Sequence, residues 1–381
     1  MRQALELARR ARGRTWPNPM VGALVVRGGK VVGEGFHRRA GLPHAEIEAL
    51  RSAGAATRGA DLYCTLEPCH LQGRTGPCHR AIAAAGIRRV FVGALDPNPR
   101  ECGRGVAALR RLGVRVQTGI LEAECRALNE VFEVLIRKNR PWVLAKAAVS
   151  LDGRLAPPGG RAQRLTGDAC QRRVHRLRAM VDAVLVGAGT IRCDDPRLDV
   201  RHARGRNPAV AILDGRLSCS PRARVFGLSR GAPVFLYTSR DASGARARAL
   251  ERQGVVVVRM PARVGRLPLR AVLADLLSRG IHRLLVEGGA DVLGQFLSAG
   301  AVDRLEVHLA PLLLGDTAVP LARFAGAAKV RRALHLEDVR WRRLGADGIC
   351  SGRLQERESA CSLASSKTSA PSVESAVPRP A

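Results

Sequence analysis

Pro43-His44-Ala45-Glu46, taken with Pro68-Cys69 and Cys78, is the stretch on which the reading of this chain turns. His44, Cys69 and Cys78 supply one imidazole and two thiols. With the thiols ionised, this is a borderline-soft donor set that suits one tetrahedral Zn²⁺ per chain, its fourth position open to water. Glu46 lies two residues past the histidine, at the start of the same expected helix, and is not needed as a ligand. A carboxylate there can take a proton from the activated water and deliver it to a leaving amine. Singly, these residues read as a core histidine, two buried thiols and a surface glutamate. All four in this order read as a metal centre with its proton shuttle. The ligand segments fall at strand ends and helix starts, where the helix dipole favours thiolate.

Strands and helices alternate on both sides of this centre. Residues 2–12 predict a helix broken by Pro17-Asn18-Pro19, and Val21 to Val26 with Lys30 to Phe36 predict a hairpin about Gly28-Gly29. The helix opened by His44 runs through Ala53 with Ile47 and Leu50 turned inward. Leu62 to Thr65 is a strand that ends at Leu66-Glu67-Pro68-Cys69, and Cys78 starts a helix through Ala84. Strand Arg89 to Gly93, helix Gly105 to Leu112, strand Val114 to Thr118 and a single helix over 122–138 follow. Asn139-Arg140-Pro141 marks a boundary, giving domains 1–139 and 140–356. The second domain predicts strands Trp142 to Val149, Ala183 to Gly187, Ala209 to Leu213, Val234 to Thr238, Val255 to Arg259, Leu284 to Glu287, Arg304 to Leu309 and Ile349 to Gln355. Its helices are Thr166 to Arg178, Leu269 to Arg279 and Val292 to Ala299. Residues 357–381 are Ser, Ala, Pro and Thr without periodicity, the composition of a disordered tail.

At 381 residues the chain suits two domains, each with its own core. No apolar run approaches the roughly 18 residues of a membrane span, and the N-terminal segment is an amphipathic helix start rather than an apolar leader. A soluble, cytoplasmic protein with no membrane partner is expected. Ten cysteines lack the dense spacing of a disulfide framework, so those other than Cys69 and Cys78 are expected to be reduced. The formal net charge of +30 invites a nucleic-acid partner. Its excess is arginine dispersed over the whole length, however, with only 3 % aromatic residues to stack on bases. Loose, salt-sensitive adhesion to polyanions is expected, and no specific nucleic-acid binding.

The order His-x-Glu, Pro-Cys, Cys is that of zinc deaminases acting on nucleobase-like amines. Nucleic-acid and cytidine-type deaminases place their cysteines at Cys-x-x-Cys, whereas eight residues separate Cys69 from Cys78. The intervening loop carries His70, Gln72, Arg74 and Thr75, able to line a substrate pocket, with Arg74 suited to a substrate phosphate. Further on, a strand, Gly288-Gly289 and a helix offer backbone N–H groups to an anionic phosphate. Gly-x-Gly-x-x-Gly is absent, so nucleotide binding and a plain strand–helix turn both stay open. Asp194-Asp195-Pro196 is either a ligand-binding carboxylate pair or, as such pairs more often are, a turn and helix cap.

Over residues 1–356 the chain resembles the bifunctional riboflavin-biosynthesis deaminase/reductase family. The first half carries Pro17-Asn18-Pro19-Met20-Val21-Gly22, Gly33-Glu34-Gly35-Phe36-His37, Gly41-Leu42-Pro43-His44-Ala45-Glu46, Thr65-Leu66-Glu67-Pro68-Cys69, Gly73-Arg74-Thr75 and Asp96-Pro97-Asn98-Pro99. The second carries Lys146, Ser150-Leu151-Asp152-Gly153-Arg154, Val174-His175-Arg176-Leu177-Arg178, Gly187-Ala188-Gly189-Thr190, Asp194-Asp195-Pro196, Glu287-Gly288-Gly289 and Leu309-Ala310-Pro311. The resemblance implies an α/β chain with an N-terminal cytidine-deaminase-like α/β/α domain and a C-terminal dihydrofolate-reductase-like domain. It implies zinc-dependent hydrolytic deamination of 2,5-diamino-6-(5-phosphoribosylamino)pyrimidin-4-one. NADPH-dependent reduction of the ribosyl group of 5-amino-6-(5-phosphoribosylamino)uracil to ribityl would follow.

The resemblance also implies roles. Glu46 would shuttle protons, His44, Cys69 and Cys78 would hold zinc, and Asn18, His37 and Arg74 would contact substrate. Ala148, Arg164, Thr190, Asp194 and the segment Gly289, Ala290, Asp291, Val292, Leu293, Gly294, Gln295 would hold NADPH. Ala162, Arg178, Leu198, Arg201 and Glu287 would hold the phosphorylated substrate of the second step. A homo-oligomer is implied as well. The chain departs from the family pattern at His70-Leu71, where Ser-His is usual, and at Ala162-Gln163-Arg164, where Ser-x-Trp is usual. The alternatives are a deaminase with an impaired reductase, a nucleic-acid deaminase, or a catalytically inactive homologue.

Overall fold

The structure, a computed structural model, describes residues 1–71, 76–160, 163–227, 231–262 and 266–355. The tail expected from residue 357, together with Arg74 and Ala162, lies outside the described residues. Two compact units comprise Met1–Trp142 with Arg270–Leu284, and Val143–Leu269 with Leu285–Ala381. Among the described residues, no helix is long and apolar enough to cross a membrane.

The chain begins α1 (Arg2–Arg9), β1 (Gly22–Arg27), β2 (Lys30–Phe36), α2 (Ala45–Ala53), β3 (Asp61–Leu66), α3 (Cys78–Ala84), β4 (Arg89–Ala94), α4 (Arg104–Arg111), β5 (Arg115–Gln117), α5 (Glu122–Leu128) and α6 (Glu130–Lys138). One five-stranded sheet runs in the order β2-β1-β3-β4-β5. β1 is antiparallel to both β2 and β3, whereas β3, β4 and β5 are parallel. The antiparallel pair β1–β2 needs only the two-residue turn Gly28-Gly29, and the parallel pairs need helical crossovers, which α3 and α4 provide.

The core of this unit joins sheet residues such as Val25, Leu62 and Val92 to Ala45, Ala49 and Ala53 of α2 and Ile82 of α3. Small residues face each other where α2 crosses β2. A Cβ on Gly33 would lie 2.4 Å from the Ala49 carbonyl oxygen, and one on Gly35 2.2 Å from that of Ala45. The helix therefore lies backbone against backbone on the strand, and this contact fixes where its first turn points.

The single helix predicted over 122–138 is two helices. Asn129 leaves helical geometry (φ −108°, ψ 21°). Its carboxamide accepts from the Met20 backbone nitrogen at 2.8 Å and donates to the Met20 carbonyl at 2.9 Å. These long-range bonds replace the helical continuity given up at that point.

The chain continues with β6 (Trp142–Ser150), β7 (Arg154–Ala156), α7 (Asp168–Met180), β8 (Ala183–Gly187), α8 (Ala188–Asp194), β9 (Ala209–Leu213), β10 (Val234–Ser239), α9 (Gly244–Glu251), β11 (Val256–Met260), α10 (Leu269–Ser278), β12 (Arg283–Val286), α11 (Ala290–Ser298), β13 (Arg304–Ala310), β14 (Val319–Pro320), β15 (Leu336–Leu344) and β16 (Asp347–Leu354). A nine-stranded sheet has the order β11-β10-β9-β8-β12-β6-β13-β16-β15, and β7 pairs with β14. β8 to β11 are parallel, and β16 is antiparallel to β13 and β15. β8 is buried at every position, as a central strand covered on both faces must be. The chain steps outward from β8 to β11 and then returns with β12 on the other side of β8. That reversal is a topological switch point, where open α/β sheets bind ligands.

Helices α8 and α9 and strand β15 were not predicted. β15 lacks apolar alternation because six consecutive positions, Asp338 to Arg343, are exposed on a charged sheet edge. Asp195 closes α8 in the left-handed region (φ 39°), so Asp195-Pro196 ends the helix. Gly35→Ala tests the α2–β2 contact: the added methyl is expected to cost about 1–3 kcal/mol of stability. Because it must displace the first turn of α2, it should also weaken metal binding, measured by titration of the refolded chain.

Candidate functional site

Three elements converge at the end of the first sheet. His44 caps α2, Cys69 follows β3, and Cys78 opens α3. His44 Nδ1 lies 3.2 Å from Cys78 Sγ and 3.5 Å from Cys69 Sγ, and the Cys78 backbone N–H donates to Cys69 Sγ at 3.3 Å. One donor atom from each residue falls within 4.8 Å of the others, the one such group among the described residues.

Hydrogen bonding from the Cys78 thiol, with help from His44, holds Cys69 well below the ordinary thiol range, while the Cys78 thiol is pushed up by its bond to Cys69 and by burial. The pair thus retains one thiolate that a divalent cation stabilises, and binding releases the remaining proton. Two sulfurs and one nitrogen fit tetrahedral zinc with an open position. Glu46 is 3 % exposed, and burial pushes its carboxyl up to about 7.

Buried polar groups brace the ligands. Glu67 accepts from the backbone N–H groups of Gly103 (2.9 Å), Val106 (3.0 Å) and Asp96 (3.2 Å), while Glu101 accepts from those of His70 (2.7 Å) and Leu71 (3.0 Å). His79 Nδ1 is 3.2 Å from the Cys69 carbonyl. His37 stands edge-on to His44 with ring centroids 5.5 Å apart. Its Nδ1 faces the Pro43 carbonyl at 3.1 Å and must carry the proton, leaving Nε2 to accept from Asn18 Nδ2 at 3.0 Å. Burial lowers the His37 pKa and keeps this neutral tautomer. The structure thus gathers His44, Glu46, Cys69, Cys78, Asn18 and His37. At the departing pair, Leu71 turns to solvent and the His70 ring sits 5.2 Å from that of His79. Sequence reasoning missed Glu67, Glu101 and His79 as supports. Only Glu67, inside Leu66-Glu67-Pro68-Cys69, carried a signal.

A second site is a cavity of about 920 Å³ in the other unit, beside the switch point. Ala148, Thr190, Asp194, Glu287, Gly289, Ala290, Asp291, Val292 and Gln295 all line it. Gly289 caps α11, whose first turn offers N–H groups without intrahelical acceptors. Cβ atoms on Gly187 and Gly288 would press on Val292 at 2.8 and 2.5 Å, so bare backbone is required where these strands meet α11. Leu293 and Gly294, expected beside them, are not in the lining. Leu293 is 1 % exposed in the core, and a Cβ on Gly294 would meet the Arg323 carbonyl at 1.9 Å. Helical rotation turns these two positions inward.

Arg178 donates twice to Glu287, at 2.8 and 2.7 Å, with both side chains 11 % exposed. Burial opposes ionisation of Glu287, but Arg178 outweighs it and holds the carboxyl below its usual range. Arg178 also donates to the Asp199 carbonyl, Arg201 pairs with Asp199, and the Arg201 backbone N–H donates to His175 Nδ1 at 3.0 Å. Leu198 is buried in the same loop at φ 53°. Arg178, Leu198 and Arg201 therefore stand together behind Glu287, outside the lining. Arg164 is also outside it, exposed, paired with Asp168 and bonded to the Thr166 carbonyl. The lining adds Lys146, Arg192, Arg216, Ser218 and Arg266, which sequence reasoning had not marked as site residues. Lys146 stood among the motif residues without an assigned role, and in so arginine-rich a chain the spacing of Arg192, Arg216 and Arg266 carries no signal.

Residues 1–94 match the family model of the cytidine and deoxycytidylate deaminase zinc-binding region, and residues 141–350 match that of the RibD C-terminal domain. The riboflavin biosynthesis protein RibD of Bacillus amyloliquefaciens is 38 % identical over 349 residues, 91 % of this chain and 93 % of that protein. That of Escherichia coli K12 is 38 % identical over 356 residues, 92 % and 97 %. The structure of Acinetobacter baumannii RibD superposes with a TM-score of 0.75 at 34 % identity, covering 93 % of this chain and 98 % of that one. A diaminohydroxyphosphoribosylaminopyrimidine deaminase/5-amino-6-(5-phosphoribosylamino)uracil reductase from Thermotoga maritima gives 0.74 at 34 %, covering 93 % and 97 %. A cytidine-deaminase-like zinc region and a RibD reductase domain in one α/β chain place it in the RibD family of bifunctional deaminase–reductases of riboflavin biosynthesis.

Proposed function

We propose that residues 1–139 deaminate 2,5-diamino-6-(5-phosphoribosylamino)pyrimidin-4-one, and that residues 140–356 then reduce the ribosyl group of the deaminated product with NADPH. The observation that carries the first step is buried Glu46 beside the convergent His44, Cys69 and Cys78. Zinc, when bound, supplies the Lewis acidity that makes water nucleophilic near neutral pH. Glu46 would take the protons of the attacking water in turn, delivering one to the adjacent ring nitrogen as the C–O bond forms and the other to the exocyclic nitrogen, which leaves as ammonia when the C–N bond breaks. Neutral His37 holds the Asn18 carboxamide in one orientation, leaving its oxygen for a substrate N–H.

NADPH, when bound, supplies the reducing equivalent for the second step. Thr190, Asp194 and the α11 N-terminus would hold it. Glu287, kept ionised by Arg178, faces the cavity and would accept hydrogen bonds from sugar hydroxyls. Arg201, which pairs with Asp199 behind Glu287, would contact the substrate phosphate, with Arg178 acting through Glu287. The unpaired cysteines suit the cytoplasm, and exposed Trp341 on the edge strand β15 suits a homo-oligomer.

Glu46→Gln tests the assignment of the shuttle. Zinc content should stay at one per chain while ammonia release falls by about 10²-fold or more, and reduction of pre-deaminated substrate should persist. Retained deamination would contradict the assignment. Removing zinc with a chelator should abolish ammonia release and leave that reduction intact.

The metal-free protein gives a second test. The fold favours protonated Glu46, so the stability this group contributes is present below about pH 4.5 and is lost as pH rises through about 7. Metal-free Glu46→Gln should therefore be more stable than metal-free wild type at pH 8 by on the order of 3 kcal/mol, and so unfold at a higher temperature. That advantage should fade toward pH 4, as measured by thermal scans across the range.

A further inference from the structure

Helix α7 grips the loop that follows α8, and His175, which has no part in the roles given above, makes one of the contacts. His175 and Arg178 stand one turn apart on the same face of α7. In the loop, Asp195 and Leu198 both adopt left-handed backbone (φ 39° and 53°), which residues with side chains keep only where their surroundings over-determine it. Three consecutive backbone groups are then pinned by side chains. Arg178 Nη1 donates to the Asp199 carbonyl at 3.2 Å, the Val200 N–H donates to Asn207 Oδ1 at 2.8 Å, and the Arg201 N–H donates to His175 Nδ1 at 3.0 Å. Further on, Gly205 lies against α7, where a Cβ would come 2.6 Å from that of Ala179.

The His175 ring is 1 % exposed, with His202 edge-on to it at 4.7 Å between centroids. Because Nδ1 accepts, the ring proton sits on Nε2 and the imidazole is neutral. Burial, helped by the nearby cations Arg178 and Arg201, holds its pKa down to about 4, so the acceptor persists at neutral pH. This bond closes a chain that ends in the cavity. All three guanidinium nitrogens of Arg178 are engaged: Nε and Nη2 hold the two oxygens of Glu287, and Nη1 holds the Asp199 carbonyl. The two bonds to Glu287 alone would let both side chains swing together. A guanidinium is planar, so the third bond fixes its plane and with it the direction of the carboxylate that lines the cavity.

We propose that His175 is a positioning residue for ribosyl reduction: by holding the Arg201 N–H it sets the segment Asp199–Arg201, which orients Arg178 and so aims Glu287 at the substrate. The inference rests on reading Glu287 as the carboxylate that meets the sugar. Leu and Asn have nearly the same shape, but only Asn can place an acceptor oxygen where His175 Nδ1 stands. In the full-length protein, His175→Asn should keep kcat/KM for reduction of pre-deaminated substrate within about threefold of wild type, and His175→Leu should lower it about tenfold or more, as a misaimed reacting group does. Both variants should still bind NADPH, read from nicotinamide fluorescence, because the cavity itself is intact.

Equal reduction by the Asn and Leu variants overturns the proposal, whether both keep the activity or both lose it. If His175→Leu does not fold or does not bind NADPH, His175→Gln takes its place, since Gln stays polar but carries its acceptor out toward the position of Nε2. Reduction by His175→Gln should then fall as predicted for Leu, and reduction equal to that of His175→Asn overturns the proposal. If His175→Gln also loses NADPH, His175 supports the cavity as a whole rather than the aim of Glu287, and the proposal is again overturned. A wild type that cannot reduce pre-deaminated substrate overturns instead the reading of Glu287 on which the proposal rests.

Discussion

The backbone contact between α2 and β2 is the constraint on which the first active centre depends. Gly33 and Gly35 on the strand face Ala45, Ala49 and Ala53 on the helix, and no side chain larger than a methyl group separates them. Approach this close sets the helix axis to within a few tenths of an ångström, since close-packed interiors leave little room to slide. His44 and Glu46 ride on the first turn of that helix. Cys69 and Cys78 arrive from β3 and α3, braced by Glu67, Glu101 and His79. The pocket can hold a buried carboxylate beside two thiols because the surrounding packing leaves the chain no cheaper arrangement, and a bound cation would offset the cost of ionising them.

The second centre depends on topology rather than on a single contact. The chain leaves β8 outward and returns through β12, so the two strand ends and the glycines after them open a cleft that no side chain has to vacate. One wall is set by the buried pair of Arg178 and Glu287. Breaking such a pair by removing one partner strands a charge and costs several kcal/mol, whereas the intact pair mainly fixes geometry. Here it keeps a carboxylate ionised and aimed into a cavity that otherwise excludes it.

Much of this was legible in the sequence. His-x-Glu followed by Pro-Cys and Cys is readable because one imidazole and two thiols are a donor set that few other roles require together, and Asn18 and His37 came with the motifs around them. The hairpin at Gly28-Gly29 and the buried parallel strands follow from local pattern. Other features depend on distant partners and left no local trace. Asn129 interrupts an otherwise continuous helical pattern because Met20 is waiting for its carboxamide. β15 carries almost no apolar alternation because it is an edge. Leu293 and Gly294 belong to a motif whose neighbours line the cavity, yet helical rotation points them at the core. Arg192 and Arg216 were hidden by abundance, since a cluster of cations cannot be told from dispersed arginine until the fold assembles it.

The measurement that tests the central claim most directly is mass spectrometry of 2,5-diamino-6-(5-phosphoribosylamino)pyrimidin-4-one incubated with the zinc-loaded protein, first alone and then with NADPH. The expected result is exchange of one amine for oxygen without NADPH, followed by gain of two hydrogens once it is added. An unchanged substrate with zinc in place would contradict the account. Deamination with no later gain of hydrogen would contradict its second half.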